Sequence, residues 1–81
     1  MPYHKRQIPK GTYGEFSKIT EEYLELEDAF EQGDKVLQLC ELSDLLGAIE
    51  AYTLGRFNVG LLDLIKFSNK TKSAFIEGSR K

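Results

Sequence analysis

Residues 21–44 read EEYLELEDAFEQGDKVLQLCELSD and contain two pairs of acids on either side of a glycine. Residues three apart lie on one face of an α-helix, so Glu22 with Glu25 and Glu41 with Asp44 each present two carboxylates in one direction. If the two helices pack antiparallel across a turn at Gly33, the four carboxylates converge and repel one another unless cations lie between them. Such oxygen ligands suit Mg²⁺, with Mn²⁺ as the alternative. The spacing therefore predicts a metal site between two helices.

The first helix is predicted over about 14–32. Thr12 and Glu15 have the spacing of a capping box, and an apolar stripe follows at helical intervals, made of Phe16, Ile19, Tyr23, Leu26 and Phe30. In a projection at about 100° per residue, Glu22 and Glu25 lie beside this stripe and border the core. The other acids point elsewhere. We expect Glu21 to lie outside the metal ligands or to be exposed, and we expect three further acids to be solvated, namely Glu27, Asp28 and Glu31.

The second helix is predicted over about 35–54, with Gly33 ending the first helix in the left-handed conformation and Asp34 as the next N-cap. Its apolar residues lie almost all the way round, and Cys40, the single cysteine, is expected to be a packed thiol. One side can pack on the other helices of the same chain, but a chain of 81 residues cannot also cover the second side, which carries Leu37, Cys40 and Ala51. We therefore expect an all-α homo-oligomer, a dimer or a tetramer, in which helical hairpins form a four-helix-bundle core.

An alanine follows each acid pair by one turn, Ala29 after Glu25 and Ala48 after Asp44. Two interpretations stand side by side. A small side chain leaves room for a metal ion or a phosphate, and it also lets two helices pack closely.

A third helix is predicted over about 59–77, with Asn58 as its N-cap and an apolar first half that closes the core, made of Leu61, Leu62, Leu64, Ile65 and Phe67. Residues 1–11 contain two prolines and a glycine without a helical period, which predicts an extended arm before a single domain over 12–81. We expect the arm to be a mobile, solubilising terminus. The alternative is that its basic side chains reach a phosphate or a neighbouring subunit. His4 is the only histidine, so a site built on several histidines lacks its ligands.

The net charge of −2 hides a strong asymmetry along the chain. Residues 15–50 carry a net charge of −9, whereas the flanking segments together carry +7. An acidic centre between basic flanks suits a metal-bound polyphosphate, although a solvated acidic helix with balancing basic tails has the same charges. The chain shows no signal region and no run long enough to span a bilayer, so we expect a cytoplasmic protein without membrane contact. Overall acidity makes nucleic acid an improbable partner.

The two acidic pairs resemble the signature of the MazG-like all-α nucleoside triphosphate pyrophosphohydrolases. That signature reads Glu-Glu-x-x-Glu, a spacer, and Glu-x-x-Asp, which is matched by Glu21, Glu22, Glu25, Glu41 and Asp44. Residues 14–19 and 66–80 are also similar to segments of small phage-type members, whose location would be the host cytoplasm. The resemblance implies phosphate contacts from the C-terminal segment, where the candidates are Lys66, Asn69, Lys70 and Arg80, and Lys18 is a further candidate beside the acids.

The resemblance implies a Mg²⁺-dependent enzyme that cleaves a nucleoside triphosphate, either ribo- or deoxyribonucleotide, to the monophosphate and pyrophosphate. Glu22, Glu25, Glu41 and Asp44 would hold the metal, and Glu25 is the candidate general base. No Gly-Lys-Ser/Thr sequence is present, which argues against phosphate-loop chemistry. The alternative is a non-enzymatic helical module that binds a protein partner through the apolar helix 35–54.

Overall fold

The fold is seen in a computed structural model, which describes residues 4–76 apart from the side chain of Phe75. Three helices follow one another, α1 over Phe16–Gln32, α2 over Lys35–Phe57 and α3 over Leu61–Ile76, and this part of the chain has no strand. The predicted all-helical class with three helices is confirmed. None of the helices between residues 4 and 76 combines the length and the apolar content that a bilayer span needs.

Helices α1 and α2 form the predicted hairpin. Gly33 adopts the left-handed conformation with φ of 72°, and Asp34 caps α2 by accepting a hydrogen bond from the amide of Leu37 at 2.9 Å. A two-residue connection returns the chain alongside itself. The rings of Phe16 and Tyr52, at opposite ends of the pair in sequence, meet edge to face with centroids 5.8 Å apart. The two helices are therefore antiparallel, as the acidic pairs require.

The predicted capping box at the start of α1 is wrong. Glu15 occupies the N-cap position without a capping hydrogen bond from a side chain, and α1 begins at Phe16 rather than near residue 14. The reason is a turn at Gly14, whose φ is 91° and which only glycine adopts without strain. In this turn the amide of Glu15 donates to the carbonyl of Thr12 at 2.9 Å. Thr12 therefore lies in the turn that precedes α1 and not at its N-cap position.

Helix α2 runs further than predicted, and this changes the role of Asn58. The helix continues through Gly55 to Phe57, and Asn58 ends it in the left-handed conformation with φ of 55°. The amide of Asn58 donates to Leu54 and that of Val59 to Thr53, each at 3.2 Å, which satisfies the last carbonyls of α2. Asn58 is thus the C-cap of α2 and not the N-cap of α3, which begins at Leu61.

Helix α3 packs on neither α1 nor α2 along its length, so the prediction that its first half closes the core is wrong. Its large apolar side chains are exposed, with Leu62 at 75%, Phe67 at 58% and Ile65 at 46%. Two hydrogen bonds hold its start to α2: Glu50 accepts from the amide of Leu61 at 3.2 Å, and Thr53 donates to the carbonyl of Val59 at 2.8 Å. The connection to α3 also begins three residues later than predicted, because α2 ends at Phe57.

The interior of the hairpin is small and acidic. Within the described side chains, the only buried apolar residues are Ala29 and Ala48, both essentially without exposure. The other buried residues are all carboxylic acids, namely Glu21, Glu22, Asp28 and Glu41. Burial of the two alanines between α1 and α2 supports the helix-packing interpretation of these positions.

Eight large apolar side chains of the hairpin line two adjoining grooves that share Tyr23. We call this surface the apolar face, and its members are Phe16, Ile19, Tyr23, Leu26 and Phe30 of α1 with Leu42, Leu45 and Ile49 of α2. Phe30 is 68% exposed in the single chain. Cys40 is also exposed in the single chain, so the chain itself does not provide the predicted packing of this thiol.

Candidate metal centre

The structure brings the four predicted metal ligands together. Glu22 of α1 and Glu41 and Asp44 of α2 each offer a carboxylate oxygen within 4.8 Å of the others. Glu25 joins the same group, since it lies within that distance of Glu22 in one triad and of Glu41 in another. Helical spacing places each pair on one face, and the antiparallel hairpin turns the two faces toward each other. We call these four residues the carboxylate cluster.

Two carboxylates of the cluster are buried and incompletely satisfied. Glu22 is 6% exposed and Glu41 is 5% exposed, and the Oε1 atom of each is buried without a hydrogen-bond partner. A buried, unpaired carboxylate oxygen destabilises the folded state unless a donor or a cation meets it. The residues present therefore fit a divalent cation. Glu25 is only partly buried and Asp44 is exposed, so one side of the cluster is open to solvent.

Burial also changes the protonation of these groups. The pKa of Glu22 is raised to about 7, mainly by burial. The neighbouring Glu25 also raises this pKa, and its effect outweighs the opposite effect of Lys18. Burial likewise raises the pKa of Glu41, although the hydrogen bond from His4 works in the opposite direction. A cation must displace these protons in order to bind, so affinity is expected to increase with pH.

Lys18, a predicted phosphate ligand, is paired with the acids of its own helix. Its Nζ lies 3.2 Å from Oε1 of Glu21 and 3.2 Å from Oε2 of Glu22. Burial alone would lower the pKa of Lys18, but the hydrogen bonds to Glu21 and Glu22 raise it. Lys18 therefore supplies a fixed positive charge at the edge of the carboxylate cluster, where a phosphate that approaches a bound cation would meet it.

Glu21 is buried, which excludes the exposed alternative of its prediction and agrees with a position outside the metal ligands. It is 3% exposed and accepts hydrogen bonds from the amide of Gly11 at 2.7 Å and from Lys18. Burial alone would raise the pKa of Glu21, but these donors hold it below its ordinary value. Gly11 approaches α1 so closely that a Cβ atom there would lie 2.3 Å from the carbonyl oxygen of Ser17, so only glycine fits.

The described part of the N-terminal arm is docked on the hairpin, so the prediction of a mobile, solubilising terminus is wrong for residues 4–11. His4 Nδ1 lies 2.9 Å from Asp28 Oδ2, and His4 Nε2 lies 2.7 Å from Glu41 Oε2. Arg6 forms ion pairs with Glu27, at 2.6 Å, and with Glu31. Burial alone would lower the pKa of His4, but its hydrogen bonds to Asp28 and Glu41 raise it. The arm thus covers one side of the acidic interior.

Asp28 has a different position from the one predicted for it. It is 2% exposed rather than solvated, and its Oδ2 accepts hydrogen bonds from the Lys5 amide at 3.0 Å and from the Gln32 side chain at 2.8 Å in addition to His4. Burial alone would raise the pKa of Asp28, but these donors hold it below its ordinary value. The helical projection of α1 could not reveal this, because the arm, and not another helix, covers Asp28.

The basic candidates on α3 are not brought to the carboxylate cluster within one chain. Lys66, Asn69 and Lys70 are exposed and line a shallow groove on α3 together with Val59, Asp63 and Phe67. Arg80 lies outside the described residues. The three described candidates share one surface of suitable charge, but they lie on the helix that does not pack on α1 or α2.

Compared with protein-family models, with curated proteins and with solved structures, the chain matches none. The case for a function therefore rests on the carboxylate cluster itself. Its four carboxylates from two helices can hold one or two divalent cations through oxygen ligands, and a solvent-exposed side remains for a substrate.

The raised pKa of Glu22 predicts that the metal-free protein loses stability as the pH rises. The ordinary pKa of 4.5 applies to the unfolded chain and a value of about 7 to the folded protein. Between these values the folded state binds more protons, so the free energy of unfolding falls with increasing pH. Glu41 and His4, whose pKa values are also raised, act in the same direction. We expect the melting temperature in chelator to fall by about 5 °C or more from pH 5.5 to pH 8.

Glu22→Gln is the control for this pH dependence, because glutamine does not titrate. The variant should show a clearly smaller fall in melting temperature over the same pH interval. An equal fall in both proteins would mean that Glu22 is not the group that titrates.

Proposed function

We propose that this protein is a Mg²⁺-dependent nucleoside triphosphate pyrophosphohydrolase that releases a nucleoside monophosphate and pyrophosphate. The observation that carries the proposal is the convergence of Glu22, Glu25, Glu41 and Asp44, with buried oxygens of Glu22 and Glu41 that lack a partner. These are the positions that match the Glu-Glu-x-x-Glu and Glu-x-x-Asp motifs. A purely structural acidic pair has no need of buried, unsatisfied oxygens, since they destabilise the fold.

Each residue of the cluster then has a distinct part. A divalent cation, Mg²⁺ or Mn²⁺, held by the four carboxylates would neutralise the triphosphate and acidify the attacking water. Glu25 is the proposed general base, because it is less buried than Glu22 and Glu41 and lies beside both. Lys18 contributes a positive charge next to the cluster, where it can contact a phosphate.

The remaining phosphate contacts are proposed to come from the basic surface of α3, with Lys66, Asn69 and Lys70, and from Arg80. The exposure of Lys66, Asn69 and Lys70 and the positive charge of the two lysines support this assignment. Because α3 does not pack on the hairpin of its own chain, these side chains would serve a carboxylate cluster only through an assembly of two or more chains.

We propose that the apolar face is covered by a second copy of the chain, so that two hairpins form a four-helix bundle in a dimer or tetramer. The support is that no large apolar side chain among the described residues is fully buried within the single chain. A two-helix layer with an acidic interior lacks the apolar burial that usually stabilises a domain, whereas two apolar faces packed together would supply it.

The alternative function, a non-enzymatic module that binds a protein partner, is favoured by the exposed apolar side chains of α2. Val36, Leu39 and Leu54 are 73%, 68% and 49% exposed. A partner helix could pack on them. This alternative gives no reason for the unsatisfied oxygens of Glu22 and Glu41, and for that reason we place it second.

A panel of ribo- and deoxyribonucleoside triphosphates, assayed with Mg²⁺ and in chelator, tests the proposed enzyme. We expect Mg²⁺-dependent release of pyrophosphate and monophosphate in equal amounts from at least one substrate. The double variant Lys66→Ala/Lys70→Ala should raise KM for that substrate with the fold unchanged. Absence of pyrophosphate release from the whole panel, with no shift in melting temperature on adding Mg²⁺, would favour the interaction module.

A further inference from the structure

Two groups beside the carboxylate cluster have no part in the proposed reaction. They are His4 of the arm, which is partly buried, and Asp28 of α1, which is buried, and both were outside the metal ligands predicted from the sequence. A carboxylate only accepts hydrogen bonds, so the nitrogen that faces Asp28, which is Nδ1, carries a proton. The other nitrogen, Nε2, lies 2.7 Å from Glu41 Oε2, so in the metal-free protein a proton lies between these two atoms, and a cation bound there would replace it.

Asp28 is held in a way that fixes the imidazole ring. It is almost completely buried and is positioned by the amide of Lys5 and the side chain of Gln32 in addition to His4. A histidine that binds a metal commonly donates its second ring N–H to a carboxylate, which sets the tautomer and the ring orientation. Asp28 stands in that relation to His4.

The ligand atoms of His4, Glu25 and Glu41 are close enough to one another to surround a single metal ion. One oxygen each of Glu25 and Glu41 and one ring nitrogen of His4 lie within 4.8 Å of one another, and Nε2 is 2.7 Å from Glu41 Oε2. Neighbouring ligands at metal distances of about 2.0–2.2 Å are roughly 3 Å apart. A second observation points to a cation here, because Glu41 Oε1 is buried and has no partner.

We propose that His4 is a metal ligand, which together with Glu25 and Glu41 forms a second cation position beside that of Glu22, Glu41 and Asp44. The inference rests on the proposed carboxylate site, since both positions use Glu41. Imidazole binds transition-metal ions far better than it binds Mg²⁺, whereas the all-carboxylate position suits Mg²⁺. The second position is therefore selective for Mn²⁺ and similar transition-metal ions.

The test uses the full chain without a histidine tag, loaded with Mn²⁺ alone and with no nucleotide. Pulsed electron paramagnetic resonance should detect coupling of a nitrogen nucleus to bound Mn²⁺, and the coupling should change when histidine is labelled with ¹⁵N. His4 is the only histidine, so the label identifies it without any substitution. In titration calorimetry, His4→Ala should weaken Mn²⁺ binding by roughly tenfold or more and change Mg²⁺ binding far less.

Lys5→Ala is the matched control, because it alters the neighbouring arm residue and keeps the backbone amide that donates to Asp28. Asp28→Asn should weaken Mn²⁺ binding by about 10- to 100-fold with His4 in place. If Mn²⁺ binds without nitrogen coupling, His4 pairs with Glu41 only as an imidazolium, and the inference fails while the carboxylate site stands. If neither Mn²⁺ nor Mg²⁺ binds, the inference and the proposed function both fail.

Discussion

Replacing Glu41 by glutamine is expected to reduce Mg²⁺-dependent pyrophosphate release by more than about 100-fold, because Glu41 belongs to both candidate cation positions. Glutamine has a similar shape but no charge, so it is a poor ligand for a divalent cation. The metal-free protein should remain folded, since the substitution also removes repulsion between Glu41 and its neighbours Glu22 and Asp44. We expect its melting temperature to change by less than about 5 °C.

Glu15→Gln is the matched control for this prediction. Glu15 is exposed at the N-cap of α1 and lies outside the carboxylate cluster, so its replacement should leave turnover and Mg²⁺ affinity unchanged. Glu27 is less suitable, because its pairing with Arg6 helps to hold the arm. Full turnover in Glu41→Gln, or loss of turnover only through unfolding, would show that these acids have a structural role instead.

The second large effect is expected from Phe30→Asp on the apolar face. In a single chain Phe30 is 68% exposed, and replacing so exposed a residue usually changes stability by no more than about 0.5 kcal/mol. In a four-helix core the same change would bury a charge without a partner, which costs several kcal/mol. We therefore expect wild-type protein to sediment as a dimer or larger assembly and Phe30→Asp to dissociate or unfold.

Val36→Asp separates this effect from a general effect of added charge. Val36 is 73% exposed and lies on α2 outside the apolar face, so its replacement should leave the assembly intact. A wild-type protein that is a folded monomer at micromolar concentration would contradict the proposed bundle, as would a Phe30→Asp variant that sediments like wild type.

The hairpin and the convergence of Glu22, Glu25, Glu41 and Asp44 were predictable because they follow from local rules. Helical periodicity fixes which side chains share a face, and a short turn with Gly33 and Asp34 fixes how two helices meet. Both signals lie within a few residues of the structure that they specify. For this reason the positions of the candidate metal ligands were predictable without knowledge of the tertiary contacts.

The docked arm was not predictable in the same way. Residues 4–11 have no periodic pattern, and the pairing of His4 with Asp28 and Glu41 spans 24 and 37 positions of sequence. The burial of Asp28 follows from that pairing, so it was equally hidden. One local signal was present, because Gly11 permits the close approach to α1 that carries the arm across its start.

The placement of α3 depended on a single conformational choice at Asn58. Asparagine can cap the start of a helix, and it also tolerates the left-handed conformation that ends one. The structure uses the second, so α2 extends to Phe57 and α3 packs on neither helix of the hairpin along its length. An apolar pattern identifies a face that needs cover, but it does not identify what covers it.

The burial of Ala29 on α1 and of Ala48 on α2 has a consequence for the width of the cation site. The separation of two packed helices depends on the side chains at their closest approach, and each of these two buried positions carries only a methyl group. Ala29 follows Glu25 by one turn and Ala48 follows Asp44 by one turn, so in the antiparallel pair the two alanines lie at opposite ends of the carboxylate cluster and keep α1 and α2 close together on either side of it. A larger residue at either position would increase the distance between α1 and α2. The ionic radius that the site accepts therefore depends on the small size of these two alanines.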